Sequence, residues 1–149
     1  KKLIGATSTI EKEYIADVEP AVCPTRKELS MDPNFFLPSF QSERERFDLK
    51  PILGGGGMLL GDNRPLKACP DAEWIVKGEQ LRLVLTEGRK HQIRRMCREL
   101  LGFHVIGLRR VRIGPIVLDD DHNESTLPKG CWRPLRKNEM KLLLPNAKV

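Results

Sequence analysis

Eight basic side chains crowd residues 86–113, TEGRKHQIRRMCRELLGFHVIGLRRVRI, against only two acids, Glu87 and Glu99. The 149-residue chain has a formal net charge of +6, so this window holds all of the excess and the remainder sums to zero. Gly88, Arg89, Lys90 and His91 fall together where a strand-like run gives way to a helical one. A helix start presents backbone N–H groups and the positive end of its dipole, and with cations around it that corner suits a phosphate. Arg95 and Arg98 follow on the helix, and Arg110 and Arg112 on the strand-like run behind it. A charge run by itself is an ordinary solvated face. Its coincidence with a helix start and an arginine-striped strand favours the binding of a large polyanion, of which nucleic acid is the commonest.

On a wheel of 100° per residue, Ile93, Met96, Cys97, Leu100 and Leu101 form one apolar stripe. Arg95 lies on the far side and Arg98 well out, both placed to reach phosphates through solvent. Arg89 and Lys90 are expected to be exposed with them. Arg94 falls at the edge of the stripe. A guanidinium there either pairs with a carboxylate or runs along the core with its head in water, because burying it alone is costly. Tyr14, the only tyrosine, reads from its spacing as an ordinary strand aromatic.

These residues need elements to hold them. IEKEYIADVE (10–19) alternates as a strand, with Lys12, Tyr14, Ala16 and Val18 on one face and Glu11, Glu13, Ile15 and Asp17 on the other. EQLRLVLTEG (79–88) is a second strand, carrying Leu81, Leu83 and Leu85 on one side. The helix spans 92–101 and stops at Gly102, a C-cap residue. FHVIGL and RRVRIGPIVL read as strands, with Val111 and Ile113 pointing one way and Arg110 and Arg112 the other. MLLGDNRPLKA reads as a short strand, a turn and an edge segment; WRPL as a short strand; EMKLLL as a strand or a helix turn. Residues 20–56, with five prolines and the run GGGG, form a long irregular excursion that Phe35, Phe36 and Phe40 could pin down. DDDHNESTLPKG is a polar loop. Strands outnumber helices without a βαβ rhythm, so the fold class is α+β with a largely antiparallel sheet.

Hydrophobic residues make up 40% of the chain, enough for one core. No apolar run reaches the ~20 residues needed to span a bilayer, and KKLIGATST lacks the apolar stretch of a signal peptide. Cys23, Cys69, Cys97 and Cys131 are scattered without metal-ligand spacing. They read as reduced, mostly buried thiols of an intracellular protein, with no metal site.

Taken in order, IEKEYIADV, EGRKHQIRRMCRELLGFHVIGLRRVRIGPIVL and LPKGCWRPL resemble the pseudouridine synthases that modify ribosomal RNA, in the branch acting on one or a few nearby uridines. GMLLGDNRPLKA is similar to a further element of that family. The resemblance covers residues 8–144 apart from the excursion, which is longer here than the family usually has. It implies a mixed, largely antiparallel sheet, an isomerase, RNA as partner, no membrane and no cofactor. In that family an aspartate attacks the target uridine, the glycosidic bond breaks, and the freed uracil rejoins through carbon 5. The resemblance matches Tyr14 to the tyrosine that stacks on the flipped base and takes the carbon-5 proton. It matches Arg94 to the arginine that pairs with the aspartate. The basic residues Arg89, Lys90, His91, Arg95, Arg98, Arg110 and Arg112 are then expected to contact RNA.

One departure stands out. The family's aspartate lies a few dozen residues before that tyrosine, in an R-L-D segment, whereas only 13 residues precede Tyr14 and none is Asp. Asp17 falls on the other strand face and Asp48 lies in the excursion. The chain also opens at Lys1 without Met, and these 149 residues hold no S4-like RNA-binding domain of the kind that often precedes the catalytic domain in this branch. The expectation is that residues 1–149 are the C-terminal portion of a synthase catalytic domain, with an insertion at about 20–56, active as part of a longer chain. The alternatives are a catalytically inactive RNA-binding or ribosome-assembly module on the same fold, and a basic domain that binds proteins.

Overall fold

A computed structural model describes residues 9–118 and 130–143. Its centre is a five-stranded sheet in the order β2-β3-β1-β4-β5, built from β1 (Lys12–Pro20), β2 (Ala72–Val76), β3 (Gln80–Leu85), β4 (Phe103–Ile113) and β5 (Ile116–Val117). Every pairing is antiparallel. The alternation expected of β1 holds: Lys12, Ala16 and Val18 are buried on the inner face and Tyr14 packs beside them, while Glu11 and Glu19 are exposed. Leu81, Leu83 and Leu85 of β3 are buried alongside. Over this face lies α4 (Gln92–Leu101), closed by Gly102 in the left-handed conformation. Ile93, Met96, Cys97 and Leu101 fill the space between helix and sheet.

β4 does not follow simple alternation. Its register against β1 slips between Glu13 and Tyr14 and again between Asp17 and Val18, where Ile106 and Val111 have no opposite residue. Each slip is a β-bulge, one extra residue on the longer strand. Tyr14 therefore faces Arg110, while Glu13 faces Arg112. The two arginines do not share a face as their spacing had suggested, because the bulge at Val111 lies between them.

The excursion is less irregular than its composition indicates. It carries three short helices, α1 (Arg26–Met31), α2 (Glu43–Arg46) and α3 (Lys50–Leu53). Thr25 and Glu28 form a capping box on α1, each satisfying the other's backbone N–H. Leu49 and Ile52 are buried in the core. Phe47 anchors the segment with ring contacts to Trp74 and Phe103, and its carbonyl accepts from Trp74 Nε1 at 2.9 Å. Phe36 is 78% exposed and pins nothing.

Three further expectations are corrected. Residues 58–68 form no strand: Pro65 denies a ladder donor, Leu66 exchanges backbone bonds with Gly56 and Gly57, and Asp62 N turns back to Leu59 O. WRPL is not a strand either; Pro134 intervenes, and Arg133 turns back to clamp Glu139 of α5 (Lys137–Leu143). EMKLL (139–143) is thus helical. Of the cysteines, Cys69 and Cys97 are buried but Cys23 and Cys131 are exposed. The KKLIGATS start and the 119–129 part of the polar loop, including LPK of the closing motif, lie outside the described residues.

Candidate active site

Tyr14 stands on the central strand, where its ring meets the junction between β3 and α4. Leu85, Glu87, His91, Arg94 and Leu108 surround it in a cleft of about 240 Å³. The Arg110 guanidinium lies 5.3 Å from the ring centroid, a cation–π distance. The β4 bulge is what brings it there.

The junction itself is locked. Gln92, buried at the start of α4, accepts from Arg89 N at 2.9 Å and donates to Glu87 at 3.0 Å. Glu87 also receives Lys67 N at 2.9 Å and an ion pair from Arg89. His91 is driven to φ 53°, the only positive-φ residue other than glycine among those described. That conformation costs a side-chain-bearing residue roughly 1–2 kcal/mol, and it leaves the imidazole exposed at the rim of the cleft.

The arginines divide in a way the wheel did not show. Arg95 bonds Leu60 O at 2.7 Å and Asp62 at 2.8 Å. Arg98 holds Glu28 through two bonds and Cys23 O through a third. Arg89 reaches Asp62 and the carbonyls of Arg64 and Pro65. On the opposite face of the sheet, Arg112 pairs with Glu13 and Glu11, and Arg82 with Glu13 and Asp71. Arg89, Arg95 and Arg98 were expected to stand free in solvent; they are instead half-buried in ion pairs with acids brought in by the excursion and the 60–62 turn. Arg94 shows the reverse. Its side chain is exposed, its Nη1 donates to Val105 O at 2.9 Å, and it meets no carboxylate among the described residues. Tyr14, His91 and Arg94 thus line one cleft, with Arg110 on the Tyr14 ring and Lys90 exposed nearby. Arg112 is directed away from it.

The paired carboxylates carry the electrostatic mark of this arrangement. A hydrogen bond from Arg95 holds the Asp62 carboxyl below the usual range, outweighing a smaller effect of burial, and Arg89 adds to it. Burial pushes Glu28 and Glu13 up, but hydrogen bonds from Arg98 and Thr25 to the first, and from Arg112 and Arg82 to the second, bring both lower. Glu99 is raised, mainly by burial. Lys12, two residues before Tyr14 on the same face, is 1% exposed and its Nζ makes no hydrogen bond. Burial, then the nearby charges of Arg110 and Lys67, lower its pKa.

Sequence reasoning missed Glu28, Asp62 and Leu108 as parts of the site. For Asp62 the Gly-Asp-Asn turn was a signal of position but not of partner. Among the described residues no group of three or more His, Cys, Asp or Glu is placed to hold a metal ion, and no helix is long and apolar enough to cross a membrane.

This fold has a counterpart among solved structures. A crystal structure of a pseudouridylate synthase matches with a TM-score of 0.63 and 27% identity, covering 95% of this chain and 48% of that one. In fold the chain is thus similar to a pseudouridylate synthase. In sequence it is similar to ribosomal small subunit pseudouridine synthase A: it is 37% identical over 89 residues to the Haemophilus influenzae protein. It is 42% identical over 66 residues to those of Escherichia coli and Yersinia pestis. The matched parts cover 60% and 44% of this chain but only 35% and 26% of the relatives, about a quarter to a third of their length. No protein-family model matches the chain.

Proposed function

We propose that this chain supplies the base-binding wall of an active site that isomerises uridine to pseudouridine in ribosomal RNA, as the C-terminal portion of a synthase catalytic domain. The observation that carries this reading is Arg94. Alone among the four arginines of the junction and α4 it has no carboxylate among the described residues, and it opens into the cleft of Tyr14. A carboxylate entering there would find a guanidinium ready to orient it and keep it ionised. The nucleophilic aspartate is that carboxylate, contributed by a segment outside these 149 residues. Tyr14 offers the ring on which the flipped uracil stacks and the hydroxyl that takes the carbon-5 proton, while Arg110 steadies the ring. Base extrusion costs a few kcal/mol, which stacking of about 1–3 kcal/mol per base and the surrounding cations offset.

A second reading has its own support. Among the described residues Glu87 is the only carboxylate lining the cleft, and it is already bound by Lys67, Arg89 and Gln92. By itself the chain would hold RNA without converting it. The test is tritium release from small-subunit ribosomal RNA labelled at carbon 5 of uridine, using the product of the whole gene. Release should occur, and Tyr14→Phe should slow it ~10²–10⁴-fold with RNA affinity unchanged. RNA binding with no release from the parent would leave the binding module; full speed in Tyr14→Phe would remove the hydroxyl from the chemistry.

A further inference from the structure

A second cleft, of about 340 Å³, lies between α1 of the excursion and α4. It shares His91 and Arg94 with the Tyr14 cleft, so the two adjoin at the strained residue. Its walls are fixed independently of any ligand. Arg98 clamps Glu28, and with it α1, to the helix. Arg95 and Glu99 hold the 60–62 turn through Leu60 O, Asp62 and Leu60 N. Met31 closes the gap between these walls, its methyl so close to Gly61 that a Cβ there would lie 2.6 Å away.

The chemistry of the lining is divided. Its acids, Glu28, Asp62 and Glu99, are each engaged by an arginine or a backbone N–H. Lys27, Lys90 and Arg94 meet no carboxylate among the described residues. Met31 and Leu60 provide an apolar strip between them. Unneutralised cations around an apolar surface match the two halves of a nucleotide, phosphate and base. Two such clefts sharing a wall match two nucleotides of one strand.

We propose that this cleft binds the nucleotide adjoining the target uridine, with Lys27 on its phosphate and the Met31–Leu60 strip under its base. The excursion thereby becomes a specificity element for the RNA strand. The proposal rests on the reading of RNA as substrate, and the test separates the two. Lys27→Glu leaves the Thr25–Glu28 box and the Arg98 clamp intact, so it should melt like the parent. Lys50→Glu makes the same charge change on the same excursion, at a lysine whose side chain is 85% exposed and lies outside the cleft. In filter binding to single-stranded segments of small-subunit ribosomal RNA, Lys27→Glu should lose roughly tenfold in affinity and lower the salt slope by about 0.7. Lys50→Glu should match the parent. Equal behaviour of the two variants overturns the cleft while RNA binding stands. A parent that binds no RNA overturns the functional reading and the cleft together. Inorganic phosphate competing with RNA at millimolar concentration in the parent but not in Lys27→Glu would mark a small-anion site and also refute a nucleotide subsite.

Discussion

Replacing Lys12 by Met should stabilise the protein. The Lys12 side chain is 1% exposed, its ammonium makes no hydrogen bond, and the charges of Arg110 and Lys67 oppose it. Methionine fills nearly the same volume without a group to desolvate. Leaving a buried polar group unpaired costs about 1–3 kcal/mol, which for a chain near this size is roughly 3–9 °C in Tm. The pH dependence gives a second, independent reading. The pKa of Lys12 is lower in the folded protein than its ordinary value of 10.5, so the unfolded chain binds more protons between those two values. Stability should therefore rise with pH across that window, be greatest above the unfolded pKa, and fall as pH drops through the folded one. Lys12→Met should lose this component. Urea melts of parent and variant at several pH values between 7 and 10.5 measure both effects. A variant that melts at or below the parent, with an unchanged pH profile, would mean that Nζ is satisfied in solution and would refute the reasoning.

Two other outcomes follow from the same ion-pair map. Arg95→Ala should destabilise by about 2–3 kcal/mol, since it strips charged hydrogen bonds from Asp62 and Leu60, whereas Arg94→Ala, which leaves no carboxylate stranded in this chain, should melt within about 1 kcal/mol of the parent; equal losses would erase the distinction between them. Cys23 and Cys131 should react with a maleimide at pH 8 and Cys69 and Cys97 should not, because burial pushes the latter pair to about 11 and about 12. Four equivalents of label on the native protein would contradict that burial.

The elements that local pattern controls were legible. β1 and α4 follow from period-two and helical spacing, and Gly102 ended the helix where the sequence placed it. The gathering of Tyr14 and Arg94 at one cleft came from resemblance rather than from spacing, which gave each an ordinary structural role. What stayed hidden depended on distant partners. Arg95 and Arg98 look like free surface cations until Asp62 and Glu28, 33 and 70 residues earlier, are folded against them. Nothing in the local sequence separates Phe47, which docks the excursion, from Phe36, which does not. β2 was unreadable beside the irregular stretch before it, because AEWIV neither alternates cleanly nor lies deep in the core.

The two bulges of β4 change how that strand should be read beside others. Between them, residues 107–110 run in a different frame from the segments on either side. Phe103 and Val105 set an odd-numbered inner face, yet Leu108 and Arg110 are the residues opposite Ala16 and Tyr14. Ile106 and Val111 are the points at which the frame changes. A relative whose strand lacks both residues would present the same contacts from a strand two residues shorter. Gaps in an alignment of such sequences belong at 106 and 111; placed together at one end of the strand instead, they would equate Arg109 with Arg110 and assign the partner of the Tyr14 ring to a side chain on the other side of the sheet.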